Sequence, residues 1–336
     1  MPGVKVSQVG EFGLIDLLQR EFGSVAPGVV IHIGDDCAAW RTSGLALATT
    51  DTVVEDVHFR FHTVTWDELG WKALAVNLSD IGSMGGVPQY ALLTLGLSEN
   101  LELEGVLAMA RSLAACGAEF GTAVVGGDII SSPRAFFATV ALYGQVPADG
   151  LGPPLTRAAA RPGDLVAVTG WLGRSAAGYR VLNEPVAAPV EVITELRRAH
   201  NRPWPRVKDG QALRTAGVRA CIDISDGLAG DIGHIAALSR VGVRLRAEAL
   251  PTHRFVQETF PDDSLELALF GGEEYELAFT APPEVMVKAE EALARLGTPT
   301  TVVGEVTAEP EGEVSLTWSD GRSSRLTKGG FDHFRG

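Results

Sequence analysis

Five stretches of the chain run from apolar or small residues into aspartate: VVIHIGDD (Asp35, Asp36), LALATTD (Asp51), ALAVNLSD (Asp80), AVVGGD (Asp128) and ACIDISDG (Asp223, Asp226). A Gly-Asp or Ser-Asp after one strand is more often a turn or a helix cap than a ligand. Five such endings, several beside hydroxyl groups (Thr49, Thr50, Ser79, Ser225), go beyond turn chemistry. Four of the five read as β-strands, so the fold is expected to bring distant acids to adjacent strand ends. Gathering like charges is costly unless cations neutralise them. Carboxylates are hard oxygen donors, and no cysteine or histidine cluster accompanies them, so the ions implied are magnesium rather than zinc. Magnesium gathered in this way usually holds phosphates.

The elements that must carry these residues follow from periodicity and punctuation. A helix is expected at about residues 12–22, then two strands ending at Asp36 and Asp51. Thr65 and Glu68 have capping-box spacing before a long helix that starts near Trp66 and carries Lys72, Asn77 and Asp80. A strand over 89–97, an amphipathic helix over 103–120 and strands around Val124 and Phe137 complete the first half. The Pro- and Gly-rich stretch QVPADGLGPPLTRAAARPGD divides the chain into domains 1–148 and 149–336. The second half opens with LVAVTG and the turn GWLGRSAAG, which lacks a Walker lysine and the full dinucleotide fingerprint; a strand-to-helix connection is its simplest reading. Helices over 191–200, 228–239 and 283–296 follow, and EVSLTWSDGRSSRL reads as a hairpin around Asp320-Gly321. Mixed rather than strictly alternating elements indicate α/β with α+β character.

Composition narrows the classes. The 336 residues are 46% hydrophobic and 21% charged, enough for two domain cores. A net charge of −14 with no basic stripe argues against nucleic acid, and requires that an anionic nucleotide be bound through cations. The start has no signal-peptide pattern and no long apolar run exists, so a cytoplasmic protein without membrane contact is expected. Cys37, Cys116 and Cys221 lie far apart and read as small buried residues rather than disulfide or zinc ligands.

GDDCA, TTDTVVEDVHF, NLSDIGSMGG, GGD, LTRAAARPGD, TGWLGRSAAG, DISDGLAGDIGHI, GGEEYELAFT and GGFDHF stand in an order and spacing that resembles the thiamine-monophosphate kinase family, of the superfamily containing aminoimidazole ribonucleotide synthetase and selenide water dikinase. The resemblance implies the two-domain aminoimidazole ribonucleotide synthetase-like fold, a homodimer in which the N-terminal sheets pair, and ATP held between the domains. It implies phosphoryl transfer from ATP to thiamine monophosphate, assisted by several magnesium ions. The metal ligands it implies are Asp36, Thr49, Thr50, Asp51, Asp80, Asp128, Asp223 and Asp226, with Asp36, Asp51, Asp80 and Asp128 serving catalysis. Nucleotide contacts fall on Gly127, Asp128, Arg157 and Ser225, and acceptor contacts on His58, Glu273 and Phe331.

Some positions depart from the family pattern: Asp56 stands at a usual glycine, Glu274 at a usual aspartate, and Ile129 and Ile130 at two threonines. Phe331 reads equally as a ring stacked on the acceptor and as a tail residue sealing an apolar edge. Selenide water dikinase chemistry wants an N-terminal cysteine that this chain lacks. Aminoimidazole ribonucleotide synthetase is the nearest enzymatic alternative, and a nucleotide or metal sensor the alternative from another class.

Overall fold

The computed structural model describes residues 4, 5, 8, 14, 17–22, 28–31, 39, 40, 42–308 and 310–326. The chain divides into two units, Met1–Ile81 with Val87–Ala148, and Gly82–Gly86 with Asp149–Gly336. Residues 17–22 are helical.

The first unit holds a short pair, β1 (Val29–Ile31) with β2 (Ala39–Trp40), and a four-stranded sheet in the order β3-β6-β4-β5, where β3 is Leu45–Val54, β4 Val87–Leu97, β5 Ala123–Ser131 and β6 Phe137–Val146. Helix α1 (Trp66–Ser83) precedes β4, and α2 (Leu103–Phe120) links β4 to its parallel neighbour β5. Strands β3 and β6 pair over their full lengths, Leu45 opposite Val146 through Val54 opposite Phe137. Alternation sorts the faces: Leu47 and Val53 are buried while Ala46, Ala48 and Thr50 are exposed. Helix α1 begins at a complete capping box, in which Thr65 N–H donates to Glu68 Oε2 (2.8 Å) and Glu68 N–H to Thr65 Oγ1 (3.2 Å). The two helices approach so closely that a Cβ on Gly70 would lie 2.0 Å from the Met109 carbonyl oxygen.

The second unit is built on a seven-stranded sheet, β13-β12-β9-β11-β7-β10-β8. Its strands are β7 (Leu165–Thr169), β8 (Ala220–Asp223), β9 (Gly242–Arg246), β10 (Leu277–Ala281), β11 (Thr300–Thr307), β12 (Val314–Thr317) and β13 (Ser323–Arg325). Helices α3 (Arg174–Asn183), α4 (Val190–Asn201), α5 (Val207–Ala216), α6 (Leu228–Ser239), α7 (Arg254–Thr259), α8 (Ser264–Phe270) and α9 (Pro283–Arg295) surround it. The near-continuous apolar runs LVAVT, ACID and LAFTA are buried on both faces, as such runs should be. Val166, Val168, Ile222 and Ala278 pack with Leu228, Ile232 and Ile235 of α6, whereas Ala167, Cys221 and Phe279 pack with Leu213 of α5 and Met286 and Leu293 of α9. The Asp-Gly hairpin is present: β12 and β13 pair antiparallel, and Gly321 takes φ +87° at the turn.

One expectation needs correction. Asp51 and Asp128 lie inside β3 and β5 rather than at strand ends, because the β-branched residues beyond them continue the pairing. Their strands are also not neighbours but the two edges of the sheet.

Candidate active site

In the first unit the acids fall into separate groups. Thr49 Oγ1 donates to Asp80 Oδ2 at 2.5 Å, tying β3 to the second half of α1. Asp51 lies two residues on, exposed, on the strand face that carries Thr49. Thr50 points the other way and donates its hydroxyl to the Val140 carbonyl (3.1 Å). Asp51, Val140, Leu93 and Gly127 form one lateral row; Thr52, Thr139, Thr94 and Asp128 form the next. Adjacent rows are directed to opposite faces by the pleat, and three inter-strand steps separate β3 from β5, about 14 Å along the sheet. Thr49, Asp51 and Asp80 are thus drawn together, and Thr50 and Asp128 are set apart from them. Asp128 is exposed, and its Oδ1 accepts the Ile129 N–H (2.9 Å). At Gly127 a Cβ would lie 1.8 Å from the Leu93 carbonyl oxygen, so only glycine lets β5 close on β4 here.

His58 closes a tight turn after β3. Its backbone N–H donates to the Val54 carbonyl (2.9 Å), and its Nδ1 accepts the Val54 N–H (3.1 Å). With Nδ1 occupied as acceptor, the proton of the neutral ring resides on Nε2, which becomes the donor. Asp56, at the usual glycine position, takes φ +63°, so the left-handed turn survives the substitution.

In the second unit β8 delivers Asp223, only 2% exposed, into the loop Ile224–Gly227 that opens α6. Asp231, one turn into the helix, accepts the N–H groups of both Ser225 (3.0 Å) and Asp226 (3.1 Å) on Oδ2. Burial first, and the neighbouring Asp223 carboxylate second, push its pKa up to about 8. Ligand atoms of Asp226, Asp231 and His234 lie within 4.8 Å of one another. Carboxylates with one imidazole suit a hard divalent cation better than a thiolate-preferring one.

The segment GGEEYEL lies against the same loop. Glu273 N–H donates to the Ser225 carbonyl at 2.7 Å, and Tyr275 N–H to that of Ile224 at 2.9 Å. Both residues hold positive φ, +60° and +54°, a strained setting for side chains. The segment is pinned by Glu276, which is buried, accepts from Arg206 Nε and Nη2 at 2.7 Å each, and takes the Thr169 hydroxyl at 2.7 Å. Glu274 accepts the Ser175 N–H (2.9 Å) at the start of α3. The GWLGRSAAG turn is therefore capped by the chain's own carboxylate and works as a strand-to-helix connection. Arg157 is exposed, and its carbonyl accepts the Ser239 hydroxyl (2.9 Å) at the end of α6. Asp36 and Phe331 lie outside the described residues.

Asp231, His234 and His200 were not among the residues expected from sequence. The spacing of Asp226, Asp231 and His234 is the available signal, since residues three apart share a helix face. His200 carried none: its ring meets Glu273, distant in sequence, only after α4 packs.

Family models match both halves: "AIR synthase related protein, N-terminal domain" over residues 34–146 and "AIR synthase related protein, C-terminal domain" over residues 161–317. The thiamine-monophosphate kinase of Escherichia coli strain K12 is 37% identical over 330 residues, covering 97% of this chain and 98% of the relative. That of Bacillus subtilis strain 168 is 34% identical over 323 residues, covering 93% and 98%. The crystal structure of thiamine-monophosphate kinase from Stenotrophomonas maltophilia K279a superposes with a TM-score of 0.80 at 32% identity, covering 92% of this chain and 96% of that one. A solved complex of AaThiL with AMPPCP and TMP superposes with a TM-score of 0.74 at 33% identity, covering 98% and 99%. The hydrogenase maturation protein HypE shares the fold, with a TM-score of 0.76 at 21% identity.

Proposed function

The chain belongs to the thiamine-monophosphate kinases of the AIR synthase related family, and on that premise we propose that it transfers the γ-phosphoryl group of ATP directly to thiamine monophosphate, giving thiamine diphosphate and ADP, the last step in making that cofactor. The observation that carries this reading is the end-to-end similarity to a kinase solved with AMPPCP and TMP.

The acceptor is a phosphate oxygen already anionic near neutral pH, so no strong general base is needed and no phosphoenzyme is expected. The obstacle is repulsion between two polyanions. Magnesium ions, held by Asp36, Thr49, Thr50, Asp51, Asp80, Asp128, Asp223 and Asp226, would supply charge neutralisation and alignment of the in-line path. Within this ligand set Thr49 and Asp80 touch and Asp51 shares their face, and Asp231 holds the loop bearing Asp226, whereas Thr50 and Asp128, on the opposite face of the sheet, would have to serve separate ions. His58 Nε2–H suits donation to the acceptor phosphate. Ser225, with its own N–H and that of Asp226 fixed by Asp231, together with Gly127, Asp128 and Arg157, serves the nucleotide. Glu273 faces the amino-bearing or cationic part of the acceptor, and Phe331 covers its ring. Catalysis is then positioning and electrostatics.

The same reading makes the working form a cytoplasmic homodimer paired through its N-terminal sheets. What supports the pairing is the exposed row Ala46, Ala48 and Thr50 on β3. Among the described residues no helix is long and apolar enough to cross a membrane. Purified protein with ATP, magnesium and thiamine monophosphate should form thiamine diphosphate and ADP in equal amounts, with free thiamine a poor acceptor. Rapid phosphorylation of free thiamine, or no diphosphate at saturation, would overturn the assignment.

A further inference from the structure

Helices α3 and α4 meet at Gly178, where a Cβ would lie 2.1 Å from the Leu196 carbonyl oxygen and 2.8 Å from the His200 Cβ. Only glycine permits this approach, and it seats the buried His200 ring against the first turn of α3. There Nδ1 lies 3.1 Å from Ser175 Oγ and 3.3 Å from Glu273 Oε2, with the Tyr179 ring edge-on at 5.7 Å. A carboxylate oxygen only accepts, so the contact with Glu273 requires the hydrogen on Nδ1. Glu273 has its backbone set by φ +60° and by the N–H bond to Ser225, yet its carboxylate is about a third exposed, with 30% of the side chain accessible. Its backbone is fixed by the loop, and its carboxylate lies against His200.

We propose that His200, seated by Ser175, is a positioning residue of the acceptor site: it holds the Glu273 carboxylate in the orientation that meets thiamine monophosphate. The proposal rests on the reading of Glu273 as an acceptor contact. On this reading His200 acts through Glu273 rather than on the substrate itself. Its loss therefore weakens the acceptor without weakening ATP, and has nothing left to weaken once Glu273 is changed.

The test is a double-mutant cycle on the full-length enzyme, reading both Michaelis constants, kcat and melting temperature. Glu273→Gln should raise KM for thiamine monophosphate about tenfold and leave KM for ATP unchanged. His200→Ala should raise the acceptor KM roughly three- to tenfold, yet add less than about twofold in the Glu273→Gln background. His200→Asn, whose amide can donate from near the Nδ1 position, should recover most of the loss. Ser175→Ala provides a milder route to the same cycle should His200→Ala fail to fold. If Glu273→Gln leaves the acceptor KM unchanged, the acceptor-contact reading fails and takes the proposal with it. If Glu273→Gln acts as expected but the His200 and Ser175 changes do nothing, multiply fully with it, or raise both Michaelis constants alike while lowering the melting temperature, the positioning role alone is overturned.

Discussion

Glu274 is buried with its carboxyl against the Ser175 N–H, and burial pushes its pKa up to about 8, with Arg174 opposing the shift. In the unfolded chain the same group ionises near its ordinary value of 4.5. Between those values the folded state holds a proton that the unfolded state has lost, so stability falls as pH rises through the window and levels off above it. Glu274→Gln keeps the volume and the acceptor oxygen but removes the titration. Relative to wild type it should therefore be similar at pH 5 and more stable by a few kcal/mol at pH 8.5, an order of magnitude set by the size of the shift. Urea melts at both pH values decide this, and parallel changes in the two proteins would refute it. At this scale, what sequence reveals depends on how local the reason for a residue is. Asp51, Asp80 and Asp226 stand out because five apolar or small-residue runs in one chain end in aspartate. Asp56 could be read as tolerating positive φ from its type alone, and it takes +63°. His200 shows nothing in sequence, because its meaning depends on a glycine contact and on a carboxylate in another segment.

Helices α2 and α6 span the residues their periodicity marks, Leu103–Phe120 and Leu228–Ser239, because their starts and stops are local. The capping box at α1 makes a clean test of that locality. Thr65→Ala removes the hydroxyl that accepts the Glu68 N–H and should cost about 1 kcal/mol in urea melts, with the acceptor KM unaltered. An unchanged midpoint would mean that packing, not capping, sets the start of α1. Strands were less legible. A run such as TTDTVV contains no stop signal, so whether Asp51 ends a strand or lies within it depends on β6 pairing alongside, which only the fold supplies. The edge positions of β3 and β5 were likewise invisible, since strand order is decided by crossovers rather than by local pattern.

For the molecule as a whole, the chain passes from the first unit to the second between Ala148 and Asp149, and Asp149 is held by Arg214 Nη2 at 2.6 Å. Gly82–Gly86 also belongs to the second unit. This follows from close packing, since a Cβ on Gly82 would lie 3.0 Å from the Val207 Cα and one on Gly85 2.9 Å from the Arg214 Cβ. Net charge has a consequence at this same scale. A chain of net charge −14 repels a nucleotide triphosphate, and the proposed ligands add local carboxylates to that field. Affinity for ATP should then depend on divalent cations rather than be merely assisted by them. Calorimetric titration with ATP in EDTA should show binding weaker than with magnesium by about two orders of magnitude, or undetectable, while circular dichroism shows the fold intact. Asp80→Asn and Asp51→Asn sharpen the test because the two effects have opposite signs. Each removes a ligand and so weakens binding with magnesium, but each also removes a repulsive charge and so should strengthen the residual binding in EDTA. If both variants lost affinity equally under the two conditions, these aspartates would be acting on the fold or on ATP directly, and the metal-mediated account of nucleotide binding would be wrong.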